Sequence, residues 1–331
     1  MKFGFFVPQG WRFDLVGVDP ADQWTTMRDL VTHADAGSAF ESAWVYDHFH
    51  TTPEPSDQAT HEAWSLMAGL GAVTSRIRLG QMCSCMSYRN PAYLAKVAAT
   101  ADHISGGRIE MGIGAGWYEH EWRAYGYGFP AARDRLGMLR EGVQIFQQAW
   151  TKGVSSLDGT YYQVDGAICQ PLPLQKGRSG IPLWIAGGGE KVTLKIAAQY
   201  ADYTNFGGDA ETFRSKSEIL RAHCDTVGRD FSEITRSSNY NVFIGETEKE
   251  AQDKIDWYAD HLATSLGESA GPEHARRIGV QGLVGTPEQI VEKLKALEEL
   301  GMTYAITYFA DAAYDRSSLE LFESQVIPEL A

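Results

Sequence analysis

Two ionisable side chains stand side by side where a strand gives out. They are Asp47 and His48, within the stretch Ser42–His50. Ala43 to Tyr46 is a short apolar run without polar alternation, which suits a parallel strand covered on both faces. Adjacent strand residues point to opposite sides. With His48 turned to the mouth of a pocket, Asp47 faces away or into the turn. An imidazole so placed exchanges protons near neutral pH. The competing reading is a structural histidine bonded to a loop carbonyl. His48-Phe49-His50 is also the H-x-H spacing of metal hydrolases on barrels. That chemistry needs more histidines at later strand ends and a late aspartate. Asp311 suits the latter, but Ala186–Gly189 and Asn205–Gly207 supply no histidine, so no metal is expected.

Glycine marks the other candidate site. Gly187-Gly188-Gly189 lies between a strand and a helix, where free N–H groups and the helix dipole bind anions. A flexible turn needing positive φ is the alternative. The order is not that of a Walker loop. Gly112-Ile113-Gly114-Ala115-Gly116 reads G-x-G-x-G and departs from the dinucleotide fingerprint G-x-G-x-x-G. Trp117 to Glu121 follows it, rich in aromatic and ionisable groups. Of Trp44, Trp64, Trp117, Trp122 and Trp184, one or two are expected beside a flat cofactor and the rest in the core.

These residues need a scaffold, and the chain alternates strand with helix. Expected strands are Lys2–Val7, Ala43–Tyr46, Ile77–Cys83, Arg108–Ile113, Ile181–Ala186, Asp202–Phe206, Ile234–Ile244 and Thr303–Phe309. Helices follow most of them. Asn90 caps one with Pro91 at its first position. Leu136, Leu139, Val143, Phe146 and Trp150 line a second. Thr286 and Gln289 form a capping box for a third. Eight such repeats predict one α/β domain over 1–331, a closed (β/α)8 TIM barrel, with a doubly wound open sheet as runner-up. Two excursions break the rhythm. One is a hairpin near 156–171 turning at Asp165-Gly166. The other is an irregular insertion near 267–285.

The 331 residues are 44% apolar and carry a net charge of −14. That argues against non-specific binding to nucleic acid or an anionic membrane, but not against an anionic ligand in a backbone-lined pocket. No apolar run reaches membrane-span length and no basic-apolar leader is seen, so a soluble, cytoplasmic protein is expected. Cys83, Cys85, Cys169 and Cys224 offer one C-x-C pair and no second, which reads as free thiols.

Several segments together resemble the luciferase-like oxidoreductase superfamily. They are Phe3-Gly4-Phe5-Phe6, Ala43–His48, Arg78-Leu79-Gly80, Tyr88-Arg89-Asn90-Pro91, Gly107 through Trp117, and Ile185–Gly189. The branch most similar uses coenzyme F420, a deazaflavin, with FMN as the alternative. The resemblance implies hydride transfer between the ring's C5 and a small organic substrate, with His48 as acid/base. It implies that Asp47 helps hold the ring, and that a cis peptide at Met82-Cys83 supports it. Gly114, Ala115, Gly116 and Trp117, with His120, would flank the cofactor. Gly187, Gly188 and Gly189 would hold its phosphate. A homodimer is implied too. Some relatives place a glutamate where Trp117 stands and an asparagine where His120 stands, so the substrate side is not expected to be that of the sugar-phosphate dehydrogenases, and no basic cluster suited to a sugar phosphate stands out. An FMN-dependent monooxygenase and a non-catalytic cofactor carrier are the competing readings.

Overall fold

The computed structural model describes residues 1–330. Eight parallel strands pair edge to edge and close on themselves. They are β1 (Lys2–Phe6), β2 (Ser42–Val45), β3 (Arg78–Gln81), β4 (Ile109–Gly114), β5 (Leu183–Ala186), β6 (Tyr203–Asn205), β7 (Thr235–Ile244) and β8 (Tyr304–Phe309). β7 pairs with both β6 and β8, and β8 returns to β1 with Lys2 opposite Tyr304. Closure leaves no free edge and rules out the open sheet. The helices are α1 (Pro20–Ala36), α2 (Ala63–Val73), α3 (Pro91–Ser105), α4 (Glu119–Ala124), α5 (Ala132–Lys152), α6 (Thr193–Tyr200), α7 (Ala210–Val227), α8 (Glu248–Leu266), α9 (Ala270–Val280), α10 (Pro287–Glu299) and α11 (Ser317–Leu321).

The caps form as their residue types require. Asn90 Oδ1 accepts the Ala92 N–H at 2.9 Å, with Pro91 opening α3. Gln289 Oε1 accepts the Thr286 N–H at 3.0 Å at the start of α10. Among the described residues no helix is long and apolar enough to cross a membrane.

The lumen explains part of the glycine pattern. Trp44 and Trp184, both fully buried, meet edge to face with centroids 4.7 Å apart. Their bulk needs small neighbours. A Cβ on Gly80 would collide with the Trp44 ring, and one on Gly4 would come within 2.5 Å of its Nε1. One layer up, towards the strand C-termini, Phe6, Tyr46 and Tyr308 fill one side. Gly114 and Ala186 stand on the other. The filling is lopsided and leaves a bowl over β3 to β6.

Both excursions differ from expectation. The hairpin pairs Val154–Asp158 with Gln163–Ile168 and turns at 159–162, not at Asp165-Gly166. Gly166, at φ +65°, sits instead where the register shifts. Its positive φ serves a bulge rather than the turn. The turn is held from below. The buried carboxylate of Glu141 accepts the N–H groups of Thr160, Tyr161 and Tyr162 at 2.9 to 3.0 Å. The insertion at 267–285 is not irregular either. It contains α9 and a short strand, Leu283–Gly285, parallel to β7. Glycines that suggested disorder serve close packing, since a Cβ on Gly271 would lie 2.5 Å from the Ala263 nitrogen of α8.

Charge-assisted bonds to backbone N–H groups contribute roughly 1.5–3 kcal/mol each, and the three here share one carboxylate. Glu141→Ala is therefore expected to lower unfolding free energy by about 3 kcal/mol in a urea titration. Glu141→Gln, which keeps an acceptor oxygen, should lose roughly half as much.

Candidate functional site

Barrel sites form at the C-terminal ends of the strands, and the groups with chemistry gather there. His48 follows β2 and the triple glycine follows β5, so both open on the same end of the molecule.

The His48 imidazole is held on three sides. Its Nδ1 lies 2.8 Å from Glu121 Oε2 on α4. Its face stacks on Trp11, with centroids 4.2 Å apart and planes at 1°. Trp117 stands edge-on at 5.7 Å. Glu121 is completely buried and collects further donors. The N–H groups of Phe49 and His50 reach Oε1 at 2.6 and 2.9 Å, and the Tyr88 hydroxyl reaches Oε2 at 3.0 Å. Burial pushes the Glu121 carboxyl up, but donation from His48 and from the His50 and Phe49 amides outweighs it and sets the group below the ordinary range. An ionised carboxylate only accepts. The proton therefore sits on Nδ1, and Nε2 is the nitrogen left for chemistry.

Asp47 faces the opposite way, as strand alternation requires. Its two oxygens take a fork from Arg89 at 2.8 and 2.9 Å, and Oδ2 also accepts the Cys85 N–H at 3.0 Å. Arg89 continues to Glu62 at 2.8 Å. Asp47 thus supports, from beneath, the segment that crosses from β3 to β4. That segment contains the cis peptide Met82–Cys83. Burial, and then the Asp47 charge, push the Cys83 thiol up to about 12, so it is a neutral, half-buried group in the floor of the bowl.

The G-x-G-x-G run is spent on this crossing. A Cβ on Gly112 would strike Gln81 O, one on Gly114 would lie 2.7 Å from Cys83 Sγ, and one on Gly116 would lie 2.5 Å from Cys85 Sγ. Gly114 and Gly116 therefore let the bulge approach rather than leave a cradle. Ala115 is half-buried, and Trp117, 59% exposed, stands on the rim. His120 is exposed and pairs with His50, Nδ1 to Nδ1 at 3.0 Å, on the outer side of the same rim. Trp44, Trp64, Trp122 and Trp184 are core. The rim tryptophan missed in the sequence is Trp11.

The triple glycine lies on an anion-compatible cavity of about 940 Å³. Gly187, at φ +113°, anchors its N–H on Asn205 O at 2.9 Å. Gly188 and Gly189 line the cavity with Arg133 and Arg140 of α5, Lys216 of α7, and Lys191. Lys216 meets Glu190 at 2.7 Å, and that carboxylate lines the cavity too. The hairpin tip, Thr160 and Tyr161, forms the far wall. A basic cluster therefore exists. It draws on residues far apart in the chain, which is why no run of sequence displays it. The α6 helix starts at Thr193, four residues past Gly189, so its first turn does not begin at the glycines. Among the described residues no cluster of three metal-ligating side chains occurs, and all four cysteines are free.

Comparison with known proteins agrees with this fold. A family model described as luciferase-like monooxygenase matches residues 1–304. An F420-dependent glucose-6-phosphate dehydrogenase from Gordonia bronchialis is 26% identical, over 92% of this chain and 93% of the relative. Pyrimidine monooxygenase RutA from Stutzerimonas stutzeri is 30% identical, over 76% of this chain and 74% of the relative. The solved coenzyme F420 dependent tetrahydromethanopterin reductase from Methanopyrus kandleri superposes with a TM-score of 0.77, covering 100% of this chain and 99% of that one at 20% identity. At that identity the likeness speaks for the fold.

The depressed Glu121 carboxyl has a pH signature. A group lowered on folding adds stability that is present above its unfolded pKa, 4.5, and is lost as pH falls through the folded value. Glu121→Gln is expected to be less stable than wild type at pH 7, by about 2–3 kcal/mol for the charge-assisted bonds weakened. The gap should narrow steadily below pH 4.5 in paired denaturant titrations.

Proposed function

We propose that this chain, which belongs to the luciferase-like monooxygenase family, is a deazaflavin oxidoreductase that uses coenzyme F420 and acts on a small organic molecule. The observation that carries the reading is the pairing, at one barrel end, of a free imidazole nitrogen with a cavity ringed by four cations. The F420-dependent relative supports the choice of cofactor.

The residues fit such a group. Cys83, Ala186 and Gly187 form an uncharged floor with no bulky side chain, suited to a flat ring. Gly188 and Gly189 leave backbone open beside Arg133, Arg140, Lys191 and Lys216, suited to phosphate. Four cations, one of them paired with Glu190, exceed what one phosphate monoester requires, which favours the longer anionic tail of the deazaflavin over FMN. When bound, the deazaflavin supplies a hydride, given or taken at C5. The protein's share is acid–base work and exclusion of water. His48 Nε2 passes a proton to or from the substrate atom beside the migrating hydride. Glu121 stabilises the imidazolium form through Nδ1–H, as a buried carboxylate does for a catalytic histidine. Trp11 and Trp117 shield the ring from bulk water.

A homodimer is part of the same proposal, and Val73, Tyr93 and Ile104 offer exposed apolar surface on α2 and α3. So is a cytoplasmic setting without nucleic-acid partners, in keeping with the net charge of −14. An FMN-dependent monooxygenase is the second reading, favoured by the RutA relative.

Titrating apo-protein with each cofactor decides between them. Coenzyme F420 is expected to bind at micromolar concentration and FMN at least about tenfold more weakly; the reverse order overturns the choice. Arg140→Ala should raise the Kd for F420 about tenfold, equivalent to ~1.4 kcal/mol. His48→Ala should keep that Kd within about threefold. Its oxidation of reduced F420, with activated alkenes, imines or ketones as acceptors, should fall by about 10²–10⁴. A His48→Ala enzyme that turns over like wild type removes the imidazole from the mechanism.

A further inference from the structure

The loop between β1 and α1 brings a second charged group to this barrel end, over β7 and β8 and on the side away from the basic cavity. Arg12, next to the tryptophan that stacks on His48, lies with its guanidinium carbon 4.2 Å from the centroid of the Tyr308 ring. Its Nη1 donates to Asn241 Oδ1 at 2.6 Å. Among the described residues no carboxylate pairs with it in a salt bridge. Asp14 is near but committed, accepting from Gly10 N–H at 2.7 Å and from the Tyr308 hydroxyl at 3.1 Å. Burial pushes that carboxyl up to about 6.

Trp11 Nε1 is a buried donor without a partner, and buried donors in native structures are rarely left so. The Tyr46 hydroxyl lies within reach of Arg12 as an acceptor, and that of Tyr258 faces Tyr308. The loop is also held in an unusual shape. Phe13 has φ +62°, the left-handed region that bulky residues seldom enter, and its ring is buried. A half-buried guanidinium that makes no salt bridge among the described residues, with Asp14 acting on its charge from nearby, stands beside the unpartnered N–H of Trp11, the residue stacked on His48, and this set of donors is complementary to an anion.

We propose that Arg12 anchors a carboxylate of the substrate, which makes the substrate a small organic acid. This rests on the oxidoreductase reading above. The guanidinium fork matches a planar carboxylate. A phosphate dianion fits less well, because the nearby His274 is kept neutral. Burial, with repulsion from Arg12 and Arg277, pushes its pKa down to about 4. If Arg12 merely pins the loop to the barrel, its loss will affect acids and neutral ligands alike.

The test uses protein loaded with coenzyme F420, with loading read from deazaflavin absorbance. Benzoate, cinnamate and crotonate, each beside its primary amide, are titrated against wild type, Arg12→Met and Arg12→Lys, and Kd is taken from the shift in thermal midpoint. At least one acid is expected to bind wild type about tenfold more tightly than its amide. Arg12→Met should abolish that preference while its F420 loading stays normal, and Arg12→Lys should keep part of it. The proposal is overturned when no acid outperforms its amide on wild type, or when the preference survives in Arg12→Met. Arg12→Gln, which retains a donor for Asn241, replaces Arg12→Met should the latter not fold. Protein that takes up no deazaflavin defeats the cofactor reading separately, and the same titration on the protein as purified still decides Arg12.

Discussion

One buried carboxylate organises the active end of this barrel. Glu121 takes bonds from the His48 ring, from two consecutive amides after β2, and from the Tyr88 hydroxyl. Such a group is costly to bury alone and stable only when its oxygens are fully engaged. Because the donors come from the loops after β2 and β3, and the carboxylate from the helix after β4, that requirement fixes three segments at once. The orientation of His48, its proton on Nδ1 and the free Nε2 all follow from it. Asp47 meets the same requirement on the other side of the strand, where Arg89 and the Cys85 amide engage it. The two carboxylates thus serve opposite faces of one strand end, one supporting the floor and the other orienting the imidazole.

The second constraint is volume. Trp44 and Trp184 fill the middle of the lumen, and the glycines of β1 and β3 yield to them. Above, Phe6, Tyr46 and Tyr308 crowd one side while Gly114 and Ala186 leave the other low. A flat ligand therefore has one side of the bowl to lie on, and the triple glycine and its cations lie at that side. The crowded side carries Trp11 and Arg12. The cations and the Trp11–Arg12 loop thus stand on different walls of the same barrel end.

Much of this is legible in residue order. Alternating strand and helix signals mark eight repeats, and caps such as Asn90-Pro91 and Thr286–Gln289 are where their chemistry demands. His48 at a strand end and the cis peptide at Met82-Cys83 also match expectation. Most of what escapes depends on residues brought together across the chain, and the rest on the several uses of glycine. Glu121 is visible only as one acid in an aromatic stretch, since nothing local marks it as the partner of a residue 73 positions away. The basic cavity gathers α5, α7 and the loop after β5. Asp165-Gly166 misleads because a positive φ serves a bulge as well as a turn. The glycines of 267–285 mislead because close helix contact and chain freedom use the same residue.

The hairpin wall of the basic cavity has an evolutionary reading. It is an addition between two barrel repeats, seated on a single glutamate of α5, and no acid–base residue belongs to it. Its length and sequence can change without touching the Glu121–His48 contact. Conversely, the loop after β1, which carries Trp11 and Arg12, does not line that cavity. Two segments anchored by separate contacts on one barrel are free to vary independently of each other.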